Sequence, residues 1–207
     1  LLMMGGALIG VFVSLDLFMF YVFWELTLIP MFFLILKWGG KDRRYAAQKF
    51  FIYTFTASVI MLLGLITLYF LQDPYTLNYS GSMTGRSFSI PELIDSAKAG
   101  NLGDNWYLGA QMQKILFVML MIGFLVKLPA VPFHTWLPDA HVQAPTGGSM
   151  LLAGVMLKMG AYGMFRLPIS LFPHALYHFQ LALMIIGMIS LVWGAICLLY
   201  TSPSPRD

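Results

Sequence analysis

The chain has 207 residues, 59% of them hydrophobic and 10% charged, with a mean hydropathy of +0.77; a water-soluble core of this size does not need that much apolar surface, which excludes an ordinary soluble enzyme. The net charge of +3 is no nucleic-acid footprint, because five basic residues (Lys37, Lys41, Arg43, Arg44, Lys49) crowd into one segment beside Trp38, Tyr45, Phe50 and Phe51, the arrangement of a membrane interface. The single cysteine, Cys197, lies in an apolar run and excludes a disulfide framework or a cysteine-ligated iron–sulfur cluster in this chain.

Apolar stretches of about 20 residues, enough to cross a bilayer as helix, recur along the chain, and strand-like alternation is absent. The expected fold is all-α, a polytopic transmembrane bundle of about six helices over residues 1–14, 17–37, 47–71, 114–137, 147–167 and 179–200. The first two runs cannot form one helix, since about 36 residues would measure roughly 54 Å. Ser14 and Asp16 supply a turn and an N-cap between them. The basic segment after the second run should face the cytoplasm, which puts the 72–113 loop, with Asp73, Glu92, Asp95 and Asp104 against Arg86 and Lys98, on the opposite side. In that loop "YSGSMTGRS" reads as a turn region. "SIPELIDSAKAG" reads as a short interfacial helix with no catalytic part, Ile90, Leu93, Ile94 and Ala97 sharing one face. Residue 1 is leucine and no charged segment precedes the first apolar run, so the chain reads as a piece of a longer protein.

Three charged residues lie well inside these spans: Glu25, Lys127 and Lys158. Each costs about 2.5–3.5 kcal/mol to place at mid-membrane, so a chain does not accumulate three without a use. Glu25, in "FYVFWELTLIP", has no basic partner within a turn of its own helix, so its partner must come from another helix or another subunit. Its bland role is an ion pair that glues helices together; its functional role is a station on an ion or proton path.

Lys127 stands in "FLVKLPAVPFHTW", where Pro129 offers no N–H to the carbonyl of Leu125 and Pro132 none to that of Leu128. Irregular backbone at membrane depth survives where it is packed in protein or lines a wet cavity, so the broken helix predicts a hydrated pocket around Lys127. A kink that merely bends the helix would leave the lysine unexplained. Lys158, in "GVMLKMGAYG", has small neighbours that leave room for a helix or water, and a lysine at such depth can exchange protons near neutrality. Snorkelling is its bland alternative. His134, Asp139 and His141 fall in the Pro-broken "HTWLPDAHVQAPTGG" near the inner surface, making His134 and His141 candidates for proton entry. No metal site is expected of them, since no fourth ligand is evident and the spacing fits no zinc template. Arg166, His174 and His178 suit the outer interface.

"FWELTLIP" and "VKLPAVPFHTWLPDAHVQAPTGGSMLLAGVMLKMGAYG" together resemble the subunit M (mitochondrial chain 4) family of the proton-translocating NADH–quinone oxidoreductase, respiratory complex I, over about residues 1–198. The other antiporter-like subunits and the multisubunit sodium/proton antiporters share a "PFH.WLPDA" core; "DAHVQAP" and "LLAGVMLKMGAYG" favour the M type. The resemblance implies a fourteen-helix subunit with two inverted five-helix repeats, this chain holding roughly the fourth to ninth helices. It implies that Glu25 pairs with Lys127 on the broken helix, that Lys158 passes protons toward mid-membrane, and that a charged residue of the twelfth helix, absent here, completes the path. It also implies that FMN, iron–sulfur clusters and quinone belong to partner subunits. The partners would be other complex I membrane subunits, including neighbouring antiporter-like ones, in a bacterial or mitochondrial inner membrane. A cation/proton antiporter subunit without a redox partner is the alternative, and a structural scaffold is a third. The tail "TSPSPRD", residues 201–207, matches no part of the family.

Overall fold

In a computed structural model, which describes residues 1–72, 86–98 and 109–201, the chain is a bundle of helices. The turn region 79–85, Asp73, Asp104 and all of the tail but Thr201 lie outside the described residues.

Helix α1 (Leu2–Val13) ends at Ser14, and α2 (Leu17–Leu26) starts from Asp16, whose carboxylate accepts from the N–H groups of Phe18 (2.8 Å) and Met19 (3.0 Å). This is the N-cap the sequence called for. Helix α3 (Leu28–Trp38) follows α2 with Thr27 alone between them. The expected span 17–37 is therefore interrupted, and Pro30 is the cause: it has no N–H for the carbonyl of Leu26, so the ladder lapses while Thr27 keeps helical angles.

Helix α4 (Arg43–Leu71) packs along α6 (Gly109–Lys127). A Cβ on Gly123 would stand 2.7 Å from that of Met61, so the two helices meet more closely there than any side chain permits. Helix α5 (Ile90–Lys98) is the expected interfacial helix, with Ile90 and Leu93 buried and Ile94 and Ala97 packed on the core. The segment before it is bonded to the α1–α2 turn: Leu17 N–H donates to the Phe88 carbonyl and Ile90 N–H to that of Leu15, both at 2.8 Å. The side chain of Gln72 closes the same rim by donating to the Ser87 carbonyl (2.9 Å) and accepting from its N–H (2.8 Å).

After Lys127 the helix breaks, as expected, and the chain resumes as a 3-10 turn (Phe133–Thr135) and helix α7 (Trp136–Gln143). The next passage, Thr146–Leu171, comprises α8 (Thr146–Leu151), a π-helical stretch (Leu152–Met156), α9 (Leu157–Arg166) and the short α10 (Pro168–Leu171). Helix α11 (Pro173–Thr201) completes the bundle. Among the described residues four passages, Leu17–Trp38, Arg43–Leu71, Thr146–Leu171 and Pro173–Cys197, are long and apolar enough to cross a membrane.

The rim opposite α5 is tied as well. Gly40 N–H donates to the Gln143 carbonyl (3.1 Å), and Lys49 Nζ donates to Asp139 Oδ2 (2.7 Å). The basic segment and "LPDAHVQ" thus share one face of the bundle, and the α5 region lies at the other.

Candidate functional site

The two interrupted helices meet at mid-bundle. Lys127, the last residue of α6, is 2% exposed, and its Nζ reaches the C-terminal end of α2, at Trp24 and the following Thr27. It donates a long hydrogen bond to Thr27 Oγ1 (3.5 Å) and lies 5.2 Å from the centre of the Trp24 ring. The Thr27 hydroxyl in turn donates to the Trp24 carbonyl (2.8 Å), so its lone pairs are left to face the ammonium. Trp24 is fixed by edge contacts: Phe124 of α6 meets it at 87° and 5.3 Å. Thr27 and Trp24 are fully buried, and nothing in composition or charge singled them out.

The expected closed pair of Glu25 and Lys127 is not what the structure shows. Among the described residues no carboxylate oxygen lies within 4.0 Å of Lys127 Nζ. On helical spacing Glu25 sits about 100° around α2 from Trp24, and with Tyr21, one turn before it, it lines a groove beside Leu62, Leu65 and Ile66 of α4. Its Oε1 is buried without a hydrogen-bond partner. The groove, of about 620 Å³, is lined mainly by apolar residues such as Val22, Leu62, Ile66 and Phe88.

At the break itself, protein groups take up the backbone hydrogen bonds that the prolines displace. Pro129 cannot serve the Leu125 carbonyl, so the N–H of Ala130 serves it instead at 3.0 Å. That shift leaves Val126 without its normal donor. The indole N–H of Trp136, on α7, fills the vacancy at 2.9 Å. Val131 N–H donates to Ser190 Oγ (2.9 Å) of α11, whose own proton goes to the Ile186 carbonyl (2.7 Å). These groups are satisfied by protein, which is the other condition under which a break survives at depth.

Lys158 does not join this cluster. Between Leu152 and Arg166 the buried positions are Leu152, Met156, Met159, Gly160 and Gly163, and the last two pack on α6. Lys158 is not one of them and is exposed. The small neighbours that seemed to make room for it work elsewhere: Gly160 lets α9 approach the backbone of Phe124 and Leu128, while a Cβ added at Gly154 would meet no other part of the bundle within 4 Å. The histidines also separate. His134 is half-buried, with its ring 6.3 Å from that of Trp193 and its Nδ1 buried and unpartnered. His141 is exposed and shares a 2.6 Å hydrogen bond with Ser149 Oγ, and Asp139 goes to Lys49. Arg166 and Tyr162 hydrogen-bond to each other and to the carbonyl of Phe12, at the rim shared with α5.

Residues 14–202 match the model of the NADH:quinone oxidoreductase/Mrp antiporter transmembrane family. The chain belongs to that family. Within it, the chain is 48% identical over 172 residues to NADH-quinone oxidoreductase subunit M of Rhodobacter capsulatus, covering 83% of this chain and 32% of that one. It is 44% identical to F(420)H(2) dehydrogenase subunit M of Methanosarcina mazei, over 95% of this chain and 37% of that one. Among solved structures it matches respiratory complex I from Thermus thermophilus, with a TM-score of 0.75, 30% identity and coverage of 93% and 37%. The Mrp complex from Dietzia shares the fold at a TM-score of 0.64 and 19% identity, over 83% of this chain and 29% of that one. The chain thus spans about a third of the length of the relatives it matches. Family membership and its apolar helices make it an integral membrane protein.

Proposed function

We propose that this chain forms part of a proton-translocating membrane subunit of an NADH–quinone oxidoreductase, in which Glu25, Lys127 and Lys158 move protons while electron transfer occurs elsewhere in the complex. The observation that carries the reading is the seat of Lys127: a buried ammonium at a helix break, held by a hydroxyl and an aromatic face, with a carboxylate on the same turn and not in contact.

The magnitudes suit a switch. An ion pair at about 4 Å and an effective dielectric near 20 gathers about 4 kcal/mol. A hydrogen bond from a charged donor contributes about 1.5–3 kcal/mol and a desolvated cation–π contact about 2 kcal/mol. The two seats are nearly matched, so a change of charge or hydration at Glu25 decides between them. With Glu25 ionised, the carboxylate draws Lys127 toward it. With Glu25 neutral, the ammonium returns to Trp24 and Thr27 and passes its proton on toward Lys158. In the full-length subunit the remaining helices would cover the exposed face of Lys158 and carry the path onward. His134 and His141 lie between this region and the rim with the basic segment, where they would admit protons.

FMN, iron–sulfur clusters and quinone would reside in partner subunits, and neighbouring antiporter-like subunits would flank this one in a bacterial inner membrane or its mitochondrial counterpart. The test is Lys127→Met in the assembled complex, reading proton pumping against NADH oxidation. Pumping should fall at least tenfold while the enzyme still assembles and transfers electrons; pumping that keeps pace with electron transfer would refute the proposal. The fold shared with the Mrp complex supports a second reading, a cation/proton antiporter subunit. Sodium- or potassium-driven proton exchange in vesicles without NADH would favour it.

A further inference from the structure

We infer that the hydroxyl of Thr27 is a positioning group for Lys127, the acceptor that holds its ammonium away from Glu25 and so sets which of the two seats is occupied. This inference rests on the proton-translocation reading and adds a residue to it.

Three observations on one turn of α2 lead here. Thr27 is 0% exposed and occupies the single-residue gap between α2 and α3, where Pro30 has removed a ladder bond. Its hydroxyl proton is committed to the Trp24 carbonyl at 2.8 Å, which fixes the rotamer and aims the lone pairs outward. The group they face is Lys127 Nζ at 3.5 Å, and among the described residues this is the hydrogen bond that the ammonium makes. A hydroxyl is suited to this place because it is neutral: it can solvate the ammonium without matching the carboxylate, and its hold is released when Glu25 offers full charge. The 3.5 Å separation fits a loose seat and not a lock. Glu25 itself lines the groove beside α4 and stands beyond 4.0 Å of Nζ, so the ammonium must leave Thr27 to reach it.

Hydroxyl and volume can be separated at this position. Threonine and serine have the hydroxyl; valine has threonine's shape without it, and alanine has neither. In the assembled complex with a full-length subunit, Thr27→Ser should pump like the parent, whereas Thr27→Val and Thr27→Ala should pump on the order of tenfold more slowly at unchanged electron transfer, the factor expected from losing one hydrogen bond to a charged group. Pumping that follows volume, with valine like the parent and serine and alanine both impaired, overturns the inference, and so does equal pumping in all four. Val and Ala are both included so that the loss of assembly of either leaves a hydroxyl-free variant to compare with serine. Lys127→Met, measured alongside, keeps the two ideas apart. If it abolishes pumping while Thr27→Val does not alter it, the relay stands and the role of Thr27 falls. If it pumps normally, the relay falls first.

Discussion

Trp136 shows how much of a membrane break depends on one donor. Its indole N–H is the partner of a carbonyl stranded by a proline seven residues upstream, and the ring is packed against Phe50 with centroids 5.4 Å apart. Trp136→Phe keeps most of the ring packing and removes the donor, so the Val126 carbonyl is left unsatisfied away from water. The expected cost is about 1–3 kcal/mol. Thermal unfolding of the purified protein in detergent would register it, and a melting point within error of the parent would contradict the assignment. Ser190→Ala removes an acceptor from a partly buried N–H and should be milder, about 1 kcal/mol in the same assay.

At the scale of elements, α9 and α6 test whether the small residues or the lysine define the contact. A Cβ on Gly160 would come within 3.0 Å of Leu128 N and 3.2 Å of the Phe124 carbonyl, both backbone atoms that cannot rotate aside. Gly160→Leu should therefore push the helices apart at a cost of about 1–3 kcal/mol. Gly154→Ala, with open space around it, should be neutral or stabilising. Equal destabilisation of the two would show that α9 is rotated from the position described. The elements were largely legible from sequence because apolar run length and proline chemistry are local: the Asp16 cap, the interfacial helix at Ile90 and the break after Lys127 all lie where those rules put them. The interruption at Thr27 was within reach through Pro30, whose effect four residues upstream is the same as that of Pro129. The choice between Glu25 and the Thr27–Trp24 seat was not legible, since it depends on how two helices are rotated against each other. Periodicity fixes a face only when polar and apolar residues alternate around the helix, and in α2 nearly all are apolar.

At the scale of the whole molecule, much apolar surface is uncovered. Met184, Met188, Leu191 and Trp193 on α11 are exposed, as is Lys158 on α9, and the chain covers about a third of its relatives. A membrane-facing methionine is ordinary, whereas a membrane-facing lysine is costly, and the proposed relay gives that cost a use. Lys158→Met should leave the stability of the chain unchanged to within about 0.5 kcal/mol, because the side chain is exposed. Proton pumping by the assembled complex should nevertheless fall as far as with Lys127→Met. A variant that loses stability and keeps pumping would place Lys158 among the scaffold residues.

The bundle is laced at both ends, by Gly40 with Gln143 at one rim and by the Leu15–Leu17 turn with Phe88–Ile90 at the other. A drum tightened at its two hoops keeps its staves in order whatever is done to the middle. Substitutions at Thr27, Lys127 or Trp136 change fit and charge at the waist but not which helix neighbours which, and their effects can be compared on one unchanging frame.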